Sequence, residues 1–204
     1  MKKVLLTAVA VFSLTFVNAQ EEKETTGAGF SKGNVFVSGA VGFGSETTGD
    51  DKTTGFTFSP KIGYFVSENI AIGARLGFDS NKNDNGVNTV TKNNEFSAGV
   101  FGRYYFTPAS QFSVFAELGA DINSTKTTTD VTGFPTSESK SNGFGVAFAP
   151  GVNYFLSDNF AIEATWGVLG YNTNKPDVAG ADSTNNFSLG LDMRSLNFGL
   201  LYKF

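Results

Sequence analysis

From Asn34 onward, apolar side chains in this chain recur at every second position. In the stretch NVFVSGAVGFG (34–44), Val35, Val37, Val41 and Phe43 take the odd positions, with Ser38, Ala40 and Gly42 between them. In GFTFSPKIGYF (55–65), Phe56, Phe58, Ile62 and Tyr64 form one face and Thr57, Ser59, Lys61 and Gly63 the other. The pattern returns in 70–78, 96–106, 112–122, 144–154, 160–168 and 196–204. A period of two places alternate side chains on opposite faces of an extended chain, and no helical period appears after the leader. The pattern predicts an all-β fold of eight strands.

The links between these stretches come in two kinds. SEN (67–69), TPASQ (107–111) and SDN (157–159) have the length and chemistry of hairpin turns. The others, near 45–54, 80–94, 122–142 and 172–186, read as long polar loops rich in Thr, Asn, Asp, Ser, Lys and Gly. An internal repeat marks the hairpin as the unit: residues 56–78 align without gaps on 146–168, sharing Pro60/Pro150, Ser67/Ser157, Asn69/Asn159 and Ala71-Ile72/Ala161-Ile162. Asn69 and Asn159 tolerate the left-handed conformation that closes a short turn, a structural role.

Alternation alone does not say which face points inward. Lys61, Arg75, Arg103, Glu117, Glu163 and Lys203 share the second face with Gly63, Gly73, Gly99, Gly119, Gly145 and Gly151. A soluble ligand-binding barrel needs an apolar interior, so here the apolar face meets lipid and the charged, glycine-rich face lines the lumen. Short turns at one end and long loops at the other suit an outer-membrane barrel. Aromatics bunched near the tight turns (Tyr64, Phe65, Tyr104, Tyr105, Phe106, Tyr154, Phe155, Tyr202 and Phe204) read as the interfacial girdle of the periplasmic side. Phe56, Phe78, Phe144 and Trp166 would supply the upper belt.

The N-terminus agrees with export. Lys2 and Lys3 precede an apolar stretch from Val4 to Val17, and Val17-Asn18-Ala19 suits signal peptidase. The stretch is shorter than the roughly 20 residues of a spanning helix. The expected organisation is a cleaved signal peptide (1–19), a short periplasmic segment (20–33) and a barrel (34–204). Of the 15 basic residues, two lie in the leader, which leaves 13 against 19 acids and a net charge of −6. That balance argues against a nucleic-acid partner. There is no cysteine for disulfides or thiolate sites and no histidine, the commonest general base and metal ligand.

With its alternating hairpins, the turn segments YFVSENIAIGA and YFLSDNFAIEA, and the closing LNFGLLYKF, the chain resembles the small eight-stranded outer-membrane barrels of the OmpA/OmpX-like group over residues 34–204. The resemblance implies an antiparallel up-and-down transmembrane β-barrel with a packed polar interior, located in the outer membrane. Its surroundings would be outer-membrane lipid and lipopolysaccharide, its biogenesis partner the barrel assembly machinery, and its state a monomer. The closing stretch resembles the terminal aromatic signal that this machinery recognises, with Tyr202 and Phe204 at the alternate aromatic positions.

An eight-stranded barrel has a lumen that side chains fill. Counting from the SEN turn sets Lys61 across from Arg75, an unfavourable pair unless carboxylates reach it. Glu117 and Glu163 are the candidates, with Arg103 diagonal to Glu117; these five are expected to form one network that fixes strand register. The expected role is non-enzymatic, structural and surface-interactive, with loops that meet an unidentified surface ligand and with no cofactor or metal. A narrow pore for ions or small solutes is the alternative. Barrel enzymes of the resembling group rely on a catalytic histidine, which this sequence lacks.

Three further motifs are weaker. Asn81, Asn83, Asn85 and Gly86 copy part of a calcium loop, but Asn81 stands at the first position and Lys92 where a bidentate Glu belongs, so a solvated mobile loop is expected. Asn123-Ser124-Thr125 is a formal N-glycosylation sequon read as coincidence, and Asp182-Ser183-Thr184 resembles a bacterial O-glycosylation acceptor. In the last strand the apolar phase slips from odd (Phe187, Leu189, Leu191, Met193) to even (Leu196, Phe198, Leu200, Tyr202). Either a β-bulge near Arg194-Ser195 restores the face, or residues 187–193 belong to a loop.

Overall fold

The computed structural model describes residues 27–190 and 196–204. The expected signal peptide lies outside the described residues. The strands are β1 (Val35–Thr48), β2 (Asp51–Phe65), β3 (Ile70–Asp84), β4 (Thr89–Tyr105), β5 (Phe112–Val131), β6 (Ser137–Phe155), β7 (Phe160–Trp166), β8 (Leu169–Pro176), β9 (Thr184–Leu189) and β10 (Leu196–Lys203). All pairings are antiparallel, and sequential neighbours pair around the wall. β7 with β8, and β9 with β10, form the seventh and eighth staves of one eight-stranded up-and-down barrel, which the β1–β10 pairing closes.

Alternation sets the faces as the sequence predicts. Val41, Phe43, Phe58, Ile72, Val100, Ile122 and Phe198 point outward and are exposed, whereas Arg103, Glu117, Glu163 and Lys203 are buried within. The tight turns fall where the sequence places them, with a further clasp. Asn69 Nδ2 donates to the Tyr105 carbonyl and Asn159 Nδ2 to the Lys203 carbonyl, each at 2.8 Å, so each repeated Asn ties its hairpin to the end of the neighbouring strand.

The long loops are a correction. Residues 45–54, 80–94, 122–142 and 172–186 lie mostly in strands: β1 and β2 stay paired to Thr48↔Asp51, β3 and β4 to Asp84↔Val90, and β5 and β6 to Thr129↔Ser137. Rows of Thr, Ser and Asn are β-compatible once each backbone group has a ladder partner, and their polarity reports a sheet that has left the membrane. At about 3.3 Å per residue, a strand of 20 residues such as β5 far exceeds an apolar band about 25 Å tall. The links that remain are short, and each carries a glycine with positive φ: Gly49 (61°), Gly86 (67°), Gly133 (87°) and Gly180 (78°). The calcium-like stretch is accordingly an ordered hairpin and not a mobile loop, with Asn85 Oδ1 accepting from the amides of Val87, Asn88 and Thr89.

The seventh and eighth staves are irregular. Opposite Ala149 and Pro150 of β6 stand three residues, Trp166, Gly167 and Val168, because Gly151 pairs with Thr165 and Phe148 with Leu169. Pro150 has no N–H to give the ladder, and the bulge sits there. It shifts the outward phase from Ile162 to Leu169 and Tyr171. β9 follows in the new phase, with Phe187 opposite Tyr171 and Leu189 opposite Leu169. Residues 187–189 are therefore strand, which removes the loop alternative for them. The expected bulge at Arg194-Ser195 lies outside the described residues.

Candidate functional site: the barrel lumen

The lumen is built in layers. Nearest the tight turns it is aromatic: Phe36, Phe65, Phe101, Tyr105, Phe115 and Phe155 are all buried, pointing inward. Glycines make the room. A β-carbon on Gly63 would overlap the ring of Phe36, on Gly73 that of Phe101, and on Gly151 that of Phe115. Phe30 enters the centre of this cluster from the N-terminal segment, its ring centroid 4.6 Å from Phe65, 4.9 Å from Phe155 and 5.0 Å from Tyr105. The segment is pinned on both sides. Phe30 N–H donates to the Pro108 carbonyl at 2.7 Å, and Lys203 Nζ donates to the carbonyls of Gly27 (3.0 Å) and Gly29 (2.7 Å). Gly29 has φ 104°, and a β-carbon there would stand 2.6 Å from the Ala109 backbone, so the entry requires glycine. Fully burying one such ring contributes about 1.5–3 kcal/mol.

Above the rings lies a charged layer. Arg103 sits 4.3 Å over the Phe115 ring and 5.1 Å over that of Phe101, its side chain fully buried. Its Nη1 and Nη2 donate to Glu163 at 2.6 and 2.9 Å, and its Nε to Glu117 at 2.7 Å. Arg75 Nη1 donates to Glu117 at 2.7 Å, while its Nε and Nη2 grip Asp121. Lys61 Nζ lies 3.3 Å from Glu117 and 3.9 Å from Glu163. Three cations thus face three carboxylates, and every charge is shared. Such a layer is tolerable in a low-dielectric interior because desolvation of each ion is offset by at least one close partner. Beyond it opens a cavity of about 660 Å³ lined mainly by polar side chains, among them Thr57, Asp79, Glu95, Asn123 and Asn172.

The outward face carries the complementary signature, with Tyr64, Tyr104, Phe106, Tyr154, Tyr202 and Phe204 exposed around the tight-turn end, and Phe56, Phe78, Phe96 and Phe144 higher up. Lipid-exposed strands of this kind are viable only in a closed sheet. The family model for the outer membrane protein beta-barrel domain matches residues 4–204. The chain belongs to this family. It is an outer-membrane β-barrel protein.

Solved structures of similar fold include a major outer membrane protein from Thermus thermophilus (11% identity, 84% of this chain and 99% of that one, TM-score 0.50). OprG from Pseudomonas aeruginosa (14%, 87% and 98%, 0.47) and Ail, the attachment invasion locus protein of Yersinia pestis (13%, 84% and 95%, 0.42), are similar too. At these identities the likeness is one of fold alone. No curated protein matches.

In this outer-membrane barrel the five charged residues singled out from the sequence, Lys61, Arg75, Arg103, Glu117 and Glu163, come together in one layer, with Lys61 across from Arg75. Arg103 is directly opposite Glu117, not diagonal to it, because β4 and β5 pair in the register Arg103↔Glu117. Sequence reasoning missed Asp121, although it lies four residues after Glu117 on the same face of β5. The girdle reading of Phe65, Tyr105 and Phe155 is also corrected. Each follows a Tyr that does point outward, and alternation forces the second ring of each pair into the lumen. Tyr202 and Phe204 stack edge to face at 5.0 Å on the outer wall. Asn123, of the formal sequon, lines the cavity, while Asp182 and Ser183 lie exposed in the β8–β9 link.

Proposed function

We propose that this outer-membrane barrel is non-enzymatic, with a structural role in the envelope and a surface-contact role carried by its outer hairpins. The observation that carries the reading is the stoppered lumen. Phe30 and the six rings of its cluster occupy the tight-turn end, and the Arg103 layer lies directly above. An interior so filled favours a rigid membrane-anchored platform over a conduit. The strands that continue past the apolar band suit the presentation of a polar sheet. Exposed apolar side chains at its links (Val87, Phe134 and Val178) offer points of contact for a partner at the surface. Lipopolysaccharide around the outer wall and the assembly machinery during biogenesis complete the proposed set of partners, for a chain acting as a monomer.

Reconstitution into planar bilayers tests this reading. The expected record shows no discrete conductance steps. A stable open state would overturn it in favour of the alternative, a narrow pore for ions or small solutes.

A further inference from the structure

The outer wall carries its positive charge at one height. On β2, β3 and β4 the continuous outward row of apolar residues ends at Phe56, Phe78 and Phe96, and a lysine stands four residues further from the membrane: Lys52, Lys82 and Lys92. On β5, β6 and β8 the row ends at Ile122, Phe144 and Tyr171, with Lys126, Lys140 and Lys175 at the same spacing. Four residues keep the parity, so each lysine shares the outward face of its apolar neighbour. The residue between them on that face is neutral and polar in every strand: Thr54, Ser80, Asn94, Ser124, Asn142 or Thr173. No other lysine or arginine points outward from the described strands, because Lys61, Arg75, Arg103 and Lys203 lie in the lumen.

A sheet face that only meets water scatters its lysines and sets acids across from them. Here the register does the opposite. Lys82 stands directly opposite Lys92, and Lys126 directly opposite Lys140. Lys92 faces Thr128, which puts Lys126 on the adjoining diagonal, so four lysines form one ridge across β3, β4, β5 and β6. Like charges at facing positions are destabilising and call for a counter-charge laid over them. Carboxylates of the wall supply only part of it. Asp84 lies 3.6 Å from Lys82 and Glu138 2.7 Å from Lys126, both one outward position farther from the membrane than the lysine row. Among the described residues Lys52, Lys92, Lys140 and Lys175 have no carboxylate within 4 Å. On the membrane side of the row there is no outward acid at all in these six strands, so an anionic layer at that height meets lysines alone.

Four residues at about 3.3 Å each, on strands tilted about 35–45°, set each lysine backbone roughly 10 Å above the end of its apolar row. A lysine stem reaches back along apolar surface while its ammonium stays in a polar layer. That brings the charges to the head groups, which extend a hydrocarbon core of about 30 Å to a full bilayer of about 40–45 Å.

We propose that the ridge of Lys82, Lys92, Lys126 and Lys140 binds the phosphorylated head groups of outer-leaflet lipid, each facing lysine pair closing on one phosphomonoester. Two ammonium groups with three donors apiece match a group that offers three acceptor oxygens and up to two negative charges. Lysine meets phosphate as a point charge and needs no fixed fork, which suits a lipid head that turns about its own linkage. A zwitterionic head gains less, since its own cation competes with the ridge. Lys52 and Lys175 continue the belt on either side. Resting on the proposed role as a membrane-anchored platform, the ridge is the surface by which the platform is held in its leaflet.

The full chain is placed in phosphatidylcholine nanodiscs that hold equal small fractions of diphosphoryl lipid A and the same lipid stripped of its phosphates. Native mass spectrometry then counts the lipids retained on the barrel. The diphosphoryl form should be retained about tenfold over its dephosphorylated counterpart, in keeping with the attraction of several lysines to an anionic surface. The preference should shrink as salt is raised, because exposed charges are screened. Changing the four ridge lysines to Gln should bring it below about twofold, and changing them to Arg should keep it. Lys32→Gln, beside Glu68 at the tight-turn end, should leave it unchanged. Inorganic phosphate at about tenfold excess over the lipid should not displace it; displacement would make the ridge a site for free phosphate and overturn the proposal. So would equal retention of the two lipids by the unaltered chain, or a preference that survives the Gln set. Should the Gln set fail to fold, the two-lipid comparison on the unaltered chain decides. Planar-bilayer conductance judges the platform role separately: a conducting barrel that still prefers the phosphorylated lipid removes only that role, and a silent barrel with no preference removes only the ridge.

Discussion

Arg103 and Glu163, 60 residues apart in sequence, meet fork to fork across the lumen, with Nη1 and Nη2 at 2.6 and 2.9 Å from the two carboxylate oxygens. Because Nε of the same guanidinium holds Glu117 at 2.7 Å, one planar cation joins β4, β5 and β7. Its underside rests on phenylalanine rings, which attract a cation without supplying a competing acceptor. A lysine would supply the charge but not the fork.

Removing either the cation or the carboxylates of this layer leaves buried charge without a partner. Arg103→Ala strands Glu117 and Glu163 in the interior and should destabilise the folded barrel by about 3–5 kcal/mol. Replacing Glu117 and Glu163 together with Gln should also lower the melting temperature, since Arg103, Lys61 and part of Arg75 lose their counterions. Urea unfolding of the barrel in lipid vesicles measures the first, and its thermal unfolding the second. Unchanged midpoints would remove the register-fixing role proposed for this layer.

Phe30 belongs to the N-terminal segment, yet it is 2% exposed and touches rings from four different strands of the wall, those of Phe36, Phe65, Tyr105 and Phe155. Phe30→Ala leaves a void enclosed by side chains that cannot collapse without shifting the sheet, and should cost about 3–5 kcal/mol. Thermal unfolding of the folded barrel checks this, and a loss within the range of surface substitutions would show that the segment docks without stabilising.

The glycine niches make a sharper contrast. A β-carbon at Gly151 meets the Phe115 ring and the Ala164 carbonyl, whereas one at Gly102 meets nothing within 4 Å. Gly151→Ala should therefore destabilise by about 1–3 kcal/mol through overpacking, with Gly102→Ala near neutral. Equal effects on the unfolding midpoint would mean that the rings do not need the niches.

Tyr202 and Phe204 stand on the outer wall, stacked on each other and exposed. Neither contributes to the lumen, so their replacement by Ala should leave the stability of barrel refolded in detergent within about 0.5 kcal/mol, as for surface sites away from special features. The same double variant should lower the amount assembled in the outer membrane of cells, if these rings are the assembly signal. Normal assembled levels would remove that role.

Much of the lumen was legible because β-structure has a period of two. Once one face is assigned to lipid, every charged residue at an inward position is committed to the interior, and counting from a tight turn places Lys61 against Arg75. The same count failed for the second ring of the Tyr-Phe and Tyr-Tyr pairs, where composition suggested a girdle although parity required Phe65, Tyr105 and Phe155 to face inward. It also failed for the outer hairpins. Thr, Asn and Ser carry turn-forming signals, but rows of them pair well when the strands entering from the membrane already fix the register.

By itself the sequence determined the strand class, the lipid-facing side, the tight-turn end and the inward set of charges, because each depends only on alternation and local turn chemistry. Tertiary structure decided what alternation is blind to. Closing the ring brought Asp121 to Arg75 and Phe30 among Phe65, Tyr105 and Phe155, contacts between residues with no periodic relation in the chain. The bulge opposite Pro150 likewise depends on how the seventh stave meets the sixth. The physical reason is that register around a closed barrel is a global constraint: each pairing is local, but the shear of the whole ring fixes where the final seam pairs.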